Sequence, residues 1–261
     1  QRLHFVTLGH GTPVMLLHGM FSKAVDWFDA GIANALSDHG YFVIALDVRG
    51  HGLSSKPHES TAYGKEMTLD IVRLLDHLAI DKAHMVGYSM GGNMLVQLLT
   101  LHPNRCLSVT LCAAAGVRNW SSADQAKNDR ESAELEQGSM KSQIMRLGGG
   151  GCCITALLQC GGAALLSRTI IGDNDHKALA AMRRSGIERS VTDAQLLGVK
   201  VPVYGIVGTR DPYHEQLHAL KKEALPSLEI VSVERATHAS CFKHPKLLEA
   251  LIAFLGRNAQ R

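Results

Sequence analysis

The chain has 261 residues, 46% of them hydrophobic and 20% charged, with a formal net charge of +3. That balance is the one of a soluble globular protein with a substantial core, and it excludes a disordered chain. Basic residues are scattered, with Arg183-Arg184 and Lys221-Lys222 the only doublets, so no patch invites nucleic acid, and the longest apolar run, 152–166, is too short to span a bilayer.

Short β-branched and apolar runs predict strands at 14–17, 42–46, 84–86, 108–112, 201–207 and 228–233. Between them, helical periodicity predicts helices at 27–38, 67–78, 93–101, 215–224 and 245–255. The alternation predicts an α/β fold with a mostly parallel central sheet and helices on both faces. From 117 to 190 there is no strand signal, only helix-like pieces separated by glycines, including the run 148–151. That stretch is read as a helical insertion over the sheet's edge, with 1–116 and 191–261 forming the core. The six cysteines show no Cys-x-x-Cys pairing and are expected as free buried thiols, with a bridge from Cys152 or Cys153 to Cys160 left open. A chain beginning at Gln1 is compatible with a cytoplasmic protein or with one secreted after loss of a signal peptide.

The most informative segment is Gly87-Tyr88-Ser89-Met90-Gly91. A serine between two glycines, where an apolar strand turns into a helix, fits a strained turn that pushes the hydroxyl into a cleft and leaves no room for neighbouring side chains. Such a hydroxyl needs a base, and the base needs a carboxylate to fix its tautomer. His238 and Asp211 each follow a predicted strand at the carboxyl edge of the sheet, where open α/β sheets place their ligands.

Five signals in one order resemble the α/β-hydrolase superfamily. They are Leu16-Leu17-His18-Gly19, then Asp47-Val48-Arg49-Gly50-His51-Gly52-Leu53-Ser54, the serine turn, Val207-Gly208-Thr209-Arg210-Asp211 and Ala236-Thr237-His238. The resemblance covers about residues 4–116 and 192–257, and 117–190 falls where that family carries its variable helical cap. It implies a catalytic triad of Ser89, Asp211 and His238, and an oxyanion hole from the backbone N–H groups of Met20 and Met90. Phe21 and Tyr88, next to these in sequence, are expected against the substrate. Serine rather than aspartate as nucleophile argues against the branches that work through an alkyl-enzyme ester. The expected function is hydrolysis of carboxylic esters through an acyl-serine intermediate, with no metal or organic cofactor. A carbon–carbon bond hydrolase or lactonase with the same triad is the alternative, and a slow-turnover ligand-binding member of the fold is another.

The substrate is expected to be a small, apolar ester. Met140, Ile144, Met145, Leu147, Ile154, Leu157, Leu158, Leu165 and Leu166 supply an apolar set for the roof of its pocket. His18, Arg49 and His51 are read as groups that stabilise loops. His214-Glu215-Gln216-Leu217-His218 has the spacing of a helical zinc site, but no third ligand is evident and it is read as a solvated helix face. Oligomeric state has no signature.

Overall fold

Strands β2 (Thr12–Leu17), β4 (Ala83–Tyr88) and β8 (Val203–Gly208) read as near-continuous apolar runs because helices cover both of their faces. The computed structural model, which describes residues 1–147 and 162–258, places them in a seven-stranded sheet. Its other strands are β1 (His4–Leu8), β3 (Tyr41–Asp47), β5 (Cys106–Cys112) and β9 (Glu229–Val233), in the order β1-β3-β2-β4-β5-β8-β9. Only β1 runs antiparallel.

The period-2 alternation of each strand feeds two cores. Met15, Leu17, Ile44 and Met85 point to the face covered by α3 (Lys65–His77), α4 (Met90–Leu101) and a late helix over Tyr213–Glu223. Val14, Leu16, Val43 and Val86 point to the face covered by α1 (Asp26–Asp29), α2 (Ile32–Asp38) and the terminal helix over Pro245–Asn258. After β3 the chain crosses back to the far side of β2 to form β4. The carboxyl ends of β2 and β4 therefore flank a topological switch point, the crevice where such sheets bind ligands.

Three differences from the sequence reading have physical reasons. β1 is an extra edge strand whose half-buried residues lack a continuous apolar run. The expected helix over 27–38 is two helices, because Gly31 adopts φ 73 between them. The stretch expected to hold no strand contains two, β6 (Val117–Arg118) and β7 (Ser190–Val191), paired in parallel over two residues where the segment leaves and rejoins the sheet. Between them lie α5 (Ser122–Glu136), α6 (Lys141–Leu147), α7 (Gly162–Ile171) and α8 (His176–Arg184), followed by a 3₁₀ turn at Ser185–Arg189. A reciprocal Ser121–Asp124 capping box starts α5, and the Asp175 carboxylate caps α8.

Cys106, Cys112 and Cys241 are buried free thiols, whereas Cys152, Cys153 and Cys160 lie outside the described residues. Among the described residues no helix is long and apolar enough to cross a membrane. Arg49 donates to both Asp70 oxygens, at 2.8 and 2.7 Å, tying the loop after β3 to α3. His51 is buried, and burial with the neighbouring His18 pushes its pKa down to about 3. Burial likewise pushes His84 down to about 4.

Both histidines are thus neutral in the folded protein, while unfolded they take up protons below about pH 6.5. Stability is full above that value and falls as pH drops toward 4. At pH 5 the loss is about 2 kcal/mol for each of the two histidines. Urea midpoints measured from pH 7.5 to 4.5 check this, and His51→Gln is expected to flatten the decline.

Candidate active site

Ser89 follows β4 directly and adopts φ 51, ψ −109 at the N-cap of α4. A side chain on any neighbouring glycine would collide with backbone or packed side chain. A Cβ on Gly87 would lie 2.5 Å from the Gly91 carbonyl carbon, one on Gly91 2.3 Å from the Leu17 carbonyl oxygen, and one on Gly92 2.5 Å from Ala114 Cβ. The strained serine is held by its own N–H, which donates to Cys112 O at 2.8 Å, and by its carbonyl, which accepts from Asn93 N–H at 2.9 Å. The Gly91 N–H donates to His18 O at 3.2 Å and ties the turn to the end of β2.

The structure brings Ser89, His238 and Asp211 together from three loops. His238 Nε2 is 3.0 Å from Ser89 Oγ, and His238 Nδ1 is 2.9 Å from Asp211 Oδ2. Asp211 is buried and also accepts from the Tyr213 N–H at 2.9 Å, so its carboxylate is fixed from two sides. An acceptor on Nδ1 puts the ring proton there and leaves the Nε2 lone pair facing the serine. Such a relay can take the proton of an attacking hydroxyl and return it to a leaving group. Asp124 and Asp193 are engaged elsewhere, with Ser121 and Lys127 and with Arg118 and Asn119 respectively. Burial pushes the Cys241 thiol up to about 12.

The loop after β2 is fixed by His18. Its Nε2 accepts from Val48 N–H at 3.0 Å and its Nδ1–H donates to Gly19 O at 2.7 Å. Those partners require the neutral ring, and burial lowers its pKa accordingly. Asp47 holds the other side of the loop, accepting from Ala24 and Leu53 N–H groups at 2.7 and 2.8 Å. Met20 and Met90 line the same cavity as Ser89.

Phe21 and Tyr88 are not placed as the sequence reading expects. Tyr88 is buried, its hydroxyl donates to His238 O and its ring meets Phe242 edge-on at 4.9 Å, so it supports the histidine loop from behind. Strand alternation turns the residue before the serine away from the cleft. Phe21 lines a separate cavity with Leu53 and Ile170.

The cavity beside Ser89 has a volume of about 180 Å³. Its roof corrects a second expectation, because the described part of the lining is mostly polar. Asn128, Gln143, Arg146, Arg183 and Arg189 face it, all from the segment between β6 and β7. Of the apolar set, Met140 and Ile144 are buried in the core, Leu166 packs against it, and Met145 and Leu165 face outward. Only Leu147 reaches the cavity, and Ile154, Leu157, Leu158 and the glycine run 148–151 lie outside the described residues. Tyr213, whose ring centroid is 5.4 Å from that of His238, also lines the cavity and has no motif to announce it.

The His214 and His218 rings lie 4.7 Å apart on one helix, tilted by 51°, with His214 Nε2 3.2 Å from Ser232 Oγ. Among the described residues no group of three or more His, Cys, Asp or Glu is placed to hold a metal.

A mostly parallel sheet with a strained serine at its switch point defines a class, and the comparisons agree with it. A family model described as alpha/beta hydrolase fold matches residues 12–144, and the chain belongs to that family. A putative non-heme haloperoxidase of Mycobacterium phage D29 is 39% identical over 117 residues, which is 44% of this chain and 41% of that protein. A bifunctional epoxide hydrolase 2 of Sus scrofa is 34% identical over 109 residues, 41% of this chain and 19% of that protein. The chain thus matches less than half the length of these curated relatives. The structure of a thermophilic esterase from Thermogutta terrifontis superposes with a TM-score of 0.78 at 23% identity, covering 98% of this chain and 94% of that one.

The tight contact at Gly91 generates a prediction. Gly91→Ala forces α4 away from β2 and is expected to cost at least about 3 kcal/mol, at the upper end of overpacking penalties. Chemical denaturation checks this, and a variant of wild-type stability would show that the approach is looser than described.

Proposed function

We propose that this protein hydrolyses carboxylic esters through an acyl-serine intermediate. The observation that carries the reading is the hydrogen-bonded relay Ser89–His238–Asp211, at 3.0 and 2.9 Å, opening on a cavity. Ser89 Oγ attacks the ester carbonyl carbon while its proton passes to His238 Nε2, and Asp211 stabilises the imidazolium. The Met20 and Met90 N–H groups receive the oxyanion. Amides at a helix start such as Met90 have no intrahelical acceptor, and each donor of this kind contributes about 3 to 4 kcal/mol to the transition state. Collapse expels the alcohol, which takes the proton from His238. Water then repeats the sequence on the acyl-serine, releasing the acid and restoring the serine hydroxyl. The scheme needs neither metal nor organic cofactor. A serine at the turn supports acyl transfer over chemistry through an alkyl-enzyme ester. Residues 117–190 act as a cap, supported by the side chains they contribute to the cavity, among them Asn128, Gln143, Arg146, Arg183 and Arg189.

Ser89→Ala is expected to lower kcat on a p-nitrophenyl ester by ~10⁴ to 10⁶ while leaving the fold intact. Near wild-type turnover would remove Ser89 from the mechanism. Asp211→Asn leaves the imidazole in the wrong tautomer and is expected to cost up to ~10⁴ in kcat. Steady-state rates beside circular dichroism of each variant distinguish loss of chemistry from loss of fold.

A further inference from the structure

The charges lining the Ser89 cavity do not balance. Arg118 pairs with Asp193 and Glu223, and Lys127 pairs with Asp124. Deeper in, Arg146 and Arg183 share one carboxylate, Glu131, which is itself 2% exposed. Arg189, 6% exposed, forms no ion pair and donates no side-chain hydrogen bond to any described residue. The stretch 148–161 contains no Asp or Glu, so it holds no side chain that could supply the missing charge. Three guanidiniums therefore face one carboxylate around a single cavity.

The unsatisfied hydrogen-bonding atoms agree in sign. Arg183 Nε, Arg189 Nε and Asn128 Nδ2 are buried without partners among the described residues, and all three are donors of residues that line this cavity. Water could accept from them but would leave the charge uncompensated, and an unpaired buried cation is costly. The cost already shows in Arg189, whose guanidinium is pushed down to about 10 by burial and by Arg183 beside it.

The cluster also touches the reacting centre. Gln143 Oε1 accepts from Arg183 at 3.1 Å while its amide lies 3.6 Å from Met20 Sδ. Tyr213 sits between Arg146 and the His238 ring. Each link is a single side chain, and the arginines line the same cavity as Ser89, so an anion held there shares the space of an ester carbonyl at Ser89.

We propose that Arg146, Arg183, Arg189 and Asn128 form a carboxylate-binding subsite, and that the ester cleaved at Ser89 carries a free carboxylate, as in a monoester of a short dicarboxylic acid. The planar forks of guanidinium match a carboxylate edge. The cavity of about 180 Å³ suits a short chain. The inference rests on the ester-hydrolase reading for the reaction, but not for the binding of the anion.

The test compares monomethyl succinate and monomethyl glutarate with methyl butyrate and methyl valerate in a pH-stat. Calorimetry then measures binding of glutarate to the Ser89→Ala protein. The half-acid esters are expected to lead in kcat/KM by about 100-fold, the scale of charge-assisted hydrogen bonds. Arg189→Met is expected to bring that ratio near one and to abolish glutarate binding. Asn128→Asp guards against misfolding of the arginine variant. It places a carboxylate among the guanidiniums, and is expected to raise Tm while excluding glutarate. Equal use of charged and neutral esters with no glutarate binding would overturn the subsite and leave the esterase reading standing. Arg189-dependent glutarate binding by a protein that cleaves no ester would do the reverse. Unchanged glutarate binding in both variants, or phosphate binding tighter than glutarate, would also overturn the carboxylate assignment.

Discussion

The seating of the first turn of α4 on the ends of β2 and β4 is the constraint from which the rest of the site follows. Gly87, Gly91 and Gly92 let helix and strands approach at distances no side chain permits. The approach forces Ser89 into a conformation L-residues seldom adopt, held by hydrogen bonds to the chain on both sides. His18 completes the arrangement from β2. Its carbonyl receives the Gly91 N–H, and its ring holds the loop after β3. Ser89 and the Met20 loop are thus parts of one rigid junction.

Much of this junction is legible in the amino-acid sequence because backbone geometry leaves few choices of residue. Glycine is demanded at 87 and 91 by close approach, and the short buried strands announce themselves by unbroken apolar runs. Asp211 was locatable because it follows such a strand, and His238 because it follows the last strand, which is only half-buried. What the sequence conceals is side-chain direction. Tyr88 is adjacent to the serine yet faces the opposite side of the sheet, where it meets Phe242. Phe21 follows Met20 yet opens onto another cavity.

The roof of the cavity was the least legible part. Arg146, Arg183 and Arg189 come from α6, α8 and a 3₁₀ turn, and Glu131 from α5. No local spacing connects them; they meet only because α5 lies along α8. In the sequence they are ordinary scattered charges, and the Arg183-Arg184 doublet looks like solvated surface. In the structure Arg183 turns inward to Glu131, while Arg184 pairs with Glu136 at the surface. Burial, which gives these charges their meaning, is a tertiary property.

The two-residue ladder between β6 and β7 fastens the start and end of the roof segment side by side. A stretch of chain whose two ends are pinned together is topologically a closed excursion. Its length enters the folding free energy only logarithmically, at about 0.6 kcal/mol per doubling for a flexible loop. Residues can be gained, lost or exchanged within it without shifting the register of any sheet strand. The ladder thereby separates two inheritances within one chain: a junction that tolerates almost no substitution, and a replaceable cassette free to explore new chambers above it.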